Sequence, residues 1–208
     1  MNHTGILHKE KLTYKIRMMT VTAMLSALSY LLALLEFPVP LCPAFAKMDL
    51  SDLPALVGAF AFGPLCGLLV EVIKNALQLL STSTGGIGEL ANLVMGGSFV
   101  LTAGGIYSMH KSKRTALAAC AVASIIMGIM AAVMNYFVLL PLFEQFMPVE
   151  ELIAPFSSFI PFIETKLDVV IYNVLPFNII KGLCLSICTM LLYKRLSPIL
   201  KGGIRNGN

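Results

Sequence analysis

The sequence predicts an all-α integral membrane protein, a bundle of six transmembrane helices with both termini in the cytoplasm. Three observations predict it. Of the 208 residues, 57% are hydrophobic and only 12% charged, and the mean hydropathy is +0.84. A soluble surface needs roughly a quarter of its residues charged. Several apolar segments approach the ~20 residues that a helix needs to cross hydrocarbon. The charges that remain are sorted by side. One set of connections and both ends hold eleven Lys or Arg (9, 11, 15, 17, 111, 113, 114, 194, 195, 201 and 205) against Glu10 alone. The alternate connections hold Glu36, Asp49, Asp52, Glu89, Glu144, Glu150, Glu151, Glu164 and Asp168 against Lys47 and Lys166. That is a positive-inside pattern. The expected organisation is one membrane domain over 1–208, with a basic cytoplasmic N-terminal segment 1–16, the six-helix bundle 17–193 and a basic cytoplasmic tail 194–208.

The basic N-terminal segment suits the anionic cytoplasmic leaflet. The first span covers about residues 17–36 and carries Ala23 and Ala27, with Ser29 and Ala33 continuing a small face that lets another helix approach closely. Lys15 and Arg17 before an apolar run, and Ala44-Phe45-Ala46 after it, imitate a signal peptide. The run exceeds the usual ~7–15-residue core and three prolines separate it from that site, so it is read as a retained span. Pro38, Pro40 and Pro43 stop the helix, and Lys47, Asp49, Ser51 and Asp52 follow as a tight polar cluster. A second, short apolar stretch, 52–62, ends at Gly63-Pro64, and a third span, 64–80, follows at once as a helical hairpin. The third span carries Glu71, Lys74, Asn75 and Gln78. Charges at that depth face the bundle interior or a wet cavity, and Glu71 with Lys74 at i, i+3 can neutralise each other.

The polar loop 81–88 leads to a fourth span, 89–109, opened by Glu89 and Asn92. After a basic turn at 110–114 comes a fifth, 115–140, with Asn135 and Tyr136 near its outer end. Residues 141–166 mix acids, prolines and phenylalanines and are expected to form an amphipathic segment over a cavity mouth. The sixth span, 168–193, holds Asn173, Pro176, Asn178 and Lys181. No acid lies within a turn of Lys181, which marks that lysine as a site residue.

Several function classes drop out. The net charge of +4 is segregated by topology and forms no basic–aromatic surface, so nucleic acid is not an expected partner. Cys42, Cys66, Cys120, Cys184 and Cys188 mostly sit in apolar segments, and no histidine or further cysteine completes a metal set around Cys184 and Cys188. His3, His8 and His110 fall on the cytoplasmic side, so no catalytic histidine reaches the polar cluster. No phosphate-binding loop is present, so any energy source lies in a partner. The convergent polar residues are Lys47, Asp49, Asn75, Asn92, Asn135, Asn178 and Lys181, a set dominated by amides. Amides complement neutral donors and acceptors such as hydroxyls and ring imides. Phe37, Phe45, Phe177 and Tyr136 can add apolar or stacking surface. A solute-binding membrane subunit is the expected class, with an intramembrane enzyme as the second.

Phe37-Pro38-Val39-Pro40, Lys47 to Leu56, Lys74-Asn75, Gly88 to Asn92, and Asn178 with Lys181 together resemble the riboflavin-specific substrate-binding (S) components of energy-coupling factor (ECF) transporters. The Glu-Leu-Ala-Asn stretch alone resembles S components for other vitamins as well. The resemblance implies the six-helix S-component fold, no catalytic activity, no cofactor and location in a bacterial plasma membrane. Riboflavin is implied as the transported ligand. The implied partners are a transmembrane T component and two ABC-type ATPases, with Ala23 and Ala27 meeting the T component. It also implies that Asn135, Asn178 and Lys181 bond the ribityl hydroxyls or ring edge, and that loop-one groups Phe45, Ala46, Lys47 and Asp49 close over the ring. The 37–52 and 81–88 loops are then gates. Thiamine, biotin or a pterin is the alternative ligand.

Overall fold

The computed structural model describes residues 3–38, 47–82, 85–146, 148–158 and 160–201. Its first helix, α1 (His3–Ala33), runs unbroken from the basic segment into the apolar one. The expected boundary near residue 17 is therefore a change of side-chain chemistry and not of backbone: Lys, Leu, Glu and Ile are all good helix residues, and no proline intervenes. It ends at Ala33, five residues before Pro38 and short of the expected end near residue 36; Pro40 and Pro43 lie outside the described residues. Around residues 39–46 the flanks pair as a two-residue antiparallel ladder, β1 (Phe37–Pro38) with β2 (Lys47–Met48), Phe37 opposite Met48 and Pro38 opposite Lys47. This small ladder qualifies the all-α expectation and fixes where β2 delivers the polar cluster that follows.

The centre of the bundle is α2 (Asp52–Phe62), a helix too short to span hydrocarbon on its own. All nine residues from Asp52 to Phe60 are buried. Helices α1, α3 (Pro64–Gln78), α4 (Ile87–Met109) and α9 (Leu175–Lys201) surround it. Its apolar residues occupy every face, which is the pattern of a helix enclosed by others. The turn into α3 needs Gly63, whose φ of +104° is strained for any residue with a Cβ. Pro64 then opens α3, where its missing N–H removes a donor that has no intrahelical acceptor in any case.

Among the described residues, five helical stretches are long and apolar enough to cross a membrane: Leu12–Ala33, Pro64–Ser81, Ile87–Met109, Lys113–Phe143 and Lys166–Leu192, with Asp52–Phe62 as a shorter apolar helix. Two of them contain a wide turn. After α5 (Lys113–Met134) comes a π turn at Asn135–Leu139, then α6 (Leu140–Phe143). After α8 (Lys166–Val169) comes a π turn at Val170–Val174, then α9. Each wide turn closes one residue before a proline. Leu140 N–H bonds Asn135 O ahead of Pro141, and Leu175 N–H bonds Val170 O ahead of Pro176. The proline cannot donate to the carbonyl four residues back, and widening the preceding turn absorbs the mismatch.

Helices α5 and α9 pack almost backbone to backbone. A Cβ on Gly182 would lie 2.8 Å from Ser124 Oγ. Such close approach suits helices that must associate through van der Waals contact in lipid. The segment between α6 and α8 contains α7 (Val149–Ser157), whose Ile153 and Phe156 bury against Ile163 and Val169. This short helix covers the start of α8.

Candidate functional site

The polar residues delivered by β2 and the start of α2 do not face solvent. Ser51 and Asp52 are completely buried, and Asp49 retains 16% side-chain exposure. Asp49 Oδ1 accepts from the Ser51 N–H at 2.7 Å, the local turn through which an aspartate fixes the backbone two residues on. Ser29 of α1 donates to the Ser51 carbonyl, so the entry to α2 is pinned from both sides. Asp52 then sits in the first turn of α2, where the helix dipole favours an anion.

Lys74 comes to this anion from α3. Its Nζ lies 2.6 Å from Asp52 Oδ1, 2.6 Å from Glu71 Oε2 and 3.2 Å from Ser51 Oγ, with no exposure on either ion pair. The i, i+3 pairing of Glu71 with Lys74 holds, but it is half of a three-residue arrangement whose other carboxylate comes from α2. Helix α4 closes over it at Gly96, where a Cβ would stand 2.7 Å from Glu71 Oε2 and 3.1 Å from Asp52 Oδ1. Glycine is required there because the helix backbone lies against the carboxylates.

Lys181 reaches the same cluster from α9. Its Nζ is 3.1 Å from Asp49 Oδ2 and 3.5 Å from Asp52 Oδ2, and the residue is 6% exposed. The reading of Lys181 as a lysine without an acid partner is corrected. Its partners lie about 130 positions earlier in the chain, beyond any search along its own helix. The amides extend the chain of contacts on the other side. Asn75 Nδ2 donates to the Glu71 carbonyl at 2.8 Å, and Asn92 Nδ2 donates to Asn75 Oδ1 at 3.3 Å. Asp49, Asp52, Glu71, Lys74, Asn75, Asn92 and Lys181 thus form one connected network from α4 through α3 and α2 to α9. Three carboxylates face two ammonium groups within it.

Two predicted residues stand apart from the network. Asn135 donates to Ala131 O at 2.8 Å, and Asn178 donates to Val174 O at 2.9 Å, each to the carbonyl four residues back in its own helix. Each keeps a second N–H and its carbonyl oxygen uncommitted among the described residues. Asn178 stands one turn before Lys181 on α9, and Asn135 opens the wide turn of the helix packed beside it. Phe45 and Ala46 lie outside the described residues. Lys47 is described only through its backbone, in β2. Sequence reasoning missed Asp52 as the shared partner of both lysines. An aspartate opening an otherwise apolar helix was the available signal.

The small residues of α1 divide into two faces. Thr22, Ser26, Ser29 and Ala33 are buried against the bundle, whereas Ala23 and Ala27 are exposed. Ser29 and Ala33 therefore do not continue the face of Ala23 and Ala27, as the sequence suggested. The inward residues recur at i, i+4, i+7 and i+11, and the outward pair lies one position further round.

No group of three or more metal-ligating side chains occurs among the described residues. The site combines carboxylate-held ammonium donors and half-committed amides on packed helices long and apolar enough to cross a membrane, groups able to bond a small polar solute. Residues 17–193 match the family described as the ECF transporter, substrate-specific component. The chain belongs to that family, a transport family and not one of enzymes. It is 38% identical over 186 residues to "Riboflavin transporter RibU" of Staphylococcus aureus (strain TCH60), covering 89% of this chain and 92% of that protein. It is 31% identical over 188 residues to "Riboflavin transporter FmnP" of Bacillus subtilis (strain 168), covering 88% of this chain and 94% of that protein. A solved structure of the S component of a bacterial ECF transporter superposes with a TM-score of 0.73 at 34% identity, covering 90% of this chain and 99% of that one.

Proposed function

We propose that this chain is the riboflavin-binding subunit of an ECF transporter, taking up the vitamin with an ATP-driven module made of a T component and two ABC-type ATPases. The observation that carries the reading is the pairing of a buried, carboxylate-held lysine with spare amide groups on α9 and on the wide turn after α5, in a chain whose relatives are named riboflavin transporters. Riboflavin offers ring carbonyls and an imide N–H at one end and a chain of hydroxyls at the other. Lys181 gives one of its three donors to Asp49 Oδ2 and has the others for a ring or hydroxyl oxygen. Asn135 and Asn178 each supply one donor and one acceptor, which matches a hydroxyl or an imide edge. Phe45, Ala46 and Lys47, with Asp49, close the loop-one side, and Asn75 and Asn92 hold the opposite wall.

Six helices with both termini in the cytoplasm complete the topology, the short α2 being the second and enclosed by the others instead of spanning hydrocarbon by itself. The exposed pair Ala23 and Ala27 is the contact with the T component. The test is an absorbance spectrum of the protein purified in mild detergent without added ligand. Flavin bands, released on denaturation and identified by mass as riboflavin, are the expected result. A colourless preparation that also fails to quench added riboflavin overturns the ligand and leaves another vitamin for the same fold.

A further inference from the structure

Asn173 lies in the π turn between α8 and α9 and is 8% exposed. Its amide has no hydrogen-bond partner among the described residues, unlike Asn75, Asn92, Asn135 and Asn178, each of which donates at least one bond. Its polar atoms are not sealed in as Asp52 Oδ2 and Thr189 Oγ1 are, so the amide opens onto space that a ligand can fill, and a polar group kept in a helix facing a bundle interior calls for a reason. The residues buried along this helix include Val169, Val170, Asn173, Asn178, Lys181, Leu185 and Thr189. The five-residue step from Asn173 to Asn178 would throw an ideal helix well out of phase. It falls beside the wide turn, which accommodates one extra residue per turn and keeps Asn173 on the inward side with Asn178 and Lys181. The wide turn of Asn173 also packs against the wide turn that begins at Asn135.

We propose that Asn173 is a further ligand-contacting residue, the third polar position on the α8–α9 face after Lys181 and Asn178. Its carboxamide pairs with a donor–acceptor group of the bound molecule, a hydroxyl of the sugar-alcohol chain or the imide edge of the ring. The inference rests on the riboflavin reading and deepens it. The π turn is then the device that brings this amide into the site.

The test is fluorescence-quenching titration of the full chain in detergent with riboflavin and with lumiflavin, which keeps the ring but lacks the hydroxylated chain. Thermal unfolding of the ligand-free protein is measured alongside. Asn173→Leu is expected to weaken riboflavin binding about tenfold, the scale of one lost hydrogen bond with its partner left unpaired. It is expected to leave the ligand-free unfolding temperature equal or higher, because an apolar side chain replaces an unpartnered amide. Unchanged lumiflavin affinity assigns the contact to the hydroxyl chain, and a parallel loss assigns it to the ring; both support the proposal. Unchanged affinity for both flavins overturns it. So does a loss of affinity that comes with a lowered ligand-free unfolding temperature, which marks a structural role. A wild-type protein that quenches neither flavin removes the riboflavin reading and this contact together, and is distinguished from the other outcomes by the wild-type titration alone.

Discussion

Replacing Lys74 with methionine tests whether the polar network is held by charge pairing or only by packing. Methionine keeps much of the length and volume of the lysine stem and removes the ammonium. The Nζ lost lies 2.6 Å from Asp52 Oδ1 and 2.6 Å from Glu71 Oε2, all three side chains being fully buried. Two carboxylates then face each other out of water, with the Gly96 backbone of α4 pressed against them. Removing one partner of a buried ion pair costs about 3–5 kcal/mol. For a chain of this length each kcal/mol moves the unfolding temperature by about 2–4 °C, so a fall of about 6–20 °C is expected. Thermal unfolding in detergent without ligand measures it. The triple variant Asp52→Asn, Glu71→Gln, Lys74→Met removes all three charges and should recover most of the loss, because a neutral set avoids the desolvation that the ions incur. A single variant within about 2 °C of wild type, or a triple variant no better than the single, would refute the argument.

Three further outcomes follow from the same geometry. Lys181→Ala should weaken riboflavin binding at least about tenfold by fluorescence quenching while the protein stays folded. Asp52 keeps Lys74 as its partner in that variant, and Asp49 retains access to solvent. Gly96→Ala should lower the unfolding temperature measurably and Gly105→Ala should not, since a Cβ meets Glu71 Oε2 at 2.7 Å at the first position and nothing within 4 Å at the second. Ala23→Leu combined with Ala27→Leu should preserve riboflavin binding in detergent yet abolish cellular uptake, because both residues point away from the bundle. Retained uptake would show that this face is not the coupling surface.

Much of the helical plan was legible because membrane insertion writes it into composition: long apolar runs, prolines at their ends and basic residues on one side. The hairpin of α2 and α3 could be read from Gly63-Pro64 and the enclosure of α2 from its apolar periphery. The tertiary partners of charged residues could not. Lys181 looked unpaired because periodicity reports neighbours three and four residues away, and its acids arrive from β2 and α2. Glu71 and Lys74 looked like a complete pair for the same reason, with Asp52 hidden. The two wide turns escaped notice although each precedes a proline by one residue, since a proline within a helix is equally compatible with a kink. Without the extra residue in those turns, the five-step spacing from Asn173 to Asn178 reads as two different faces.

The network also ties the start of α2 to the first helix. Ser29 of α1 bonds the Ser51 carbonyl, and the next residue, Asp52, is shared by Lys74 and Lys181. Asp49, three residues before Asp52, holds Lys181 directly, so the strand leading out of loop one is bound to the lysine proposed to meet the ligand. The same helix that anchors Ser51 presents Ala23 and Ala27 outward, less than two turns from Ser29. The segment that leads into the proposed ligand site and the proposed coupling face thus adjoin different faces of a single helix.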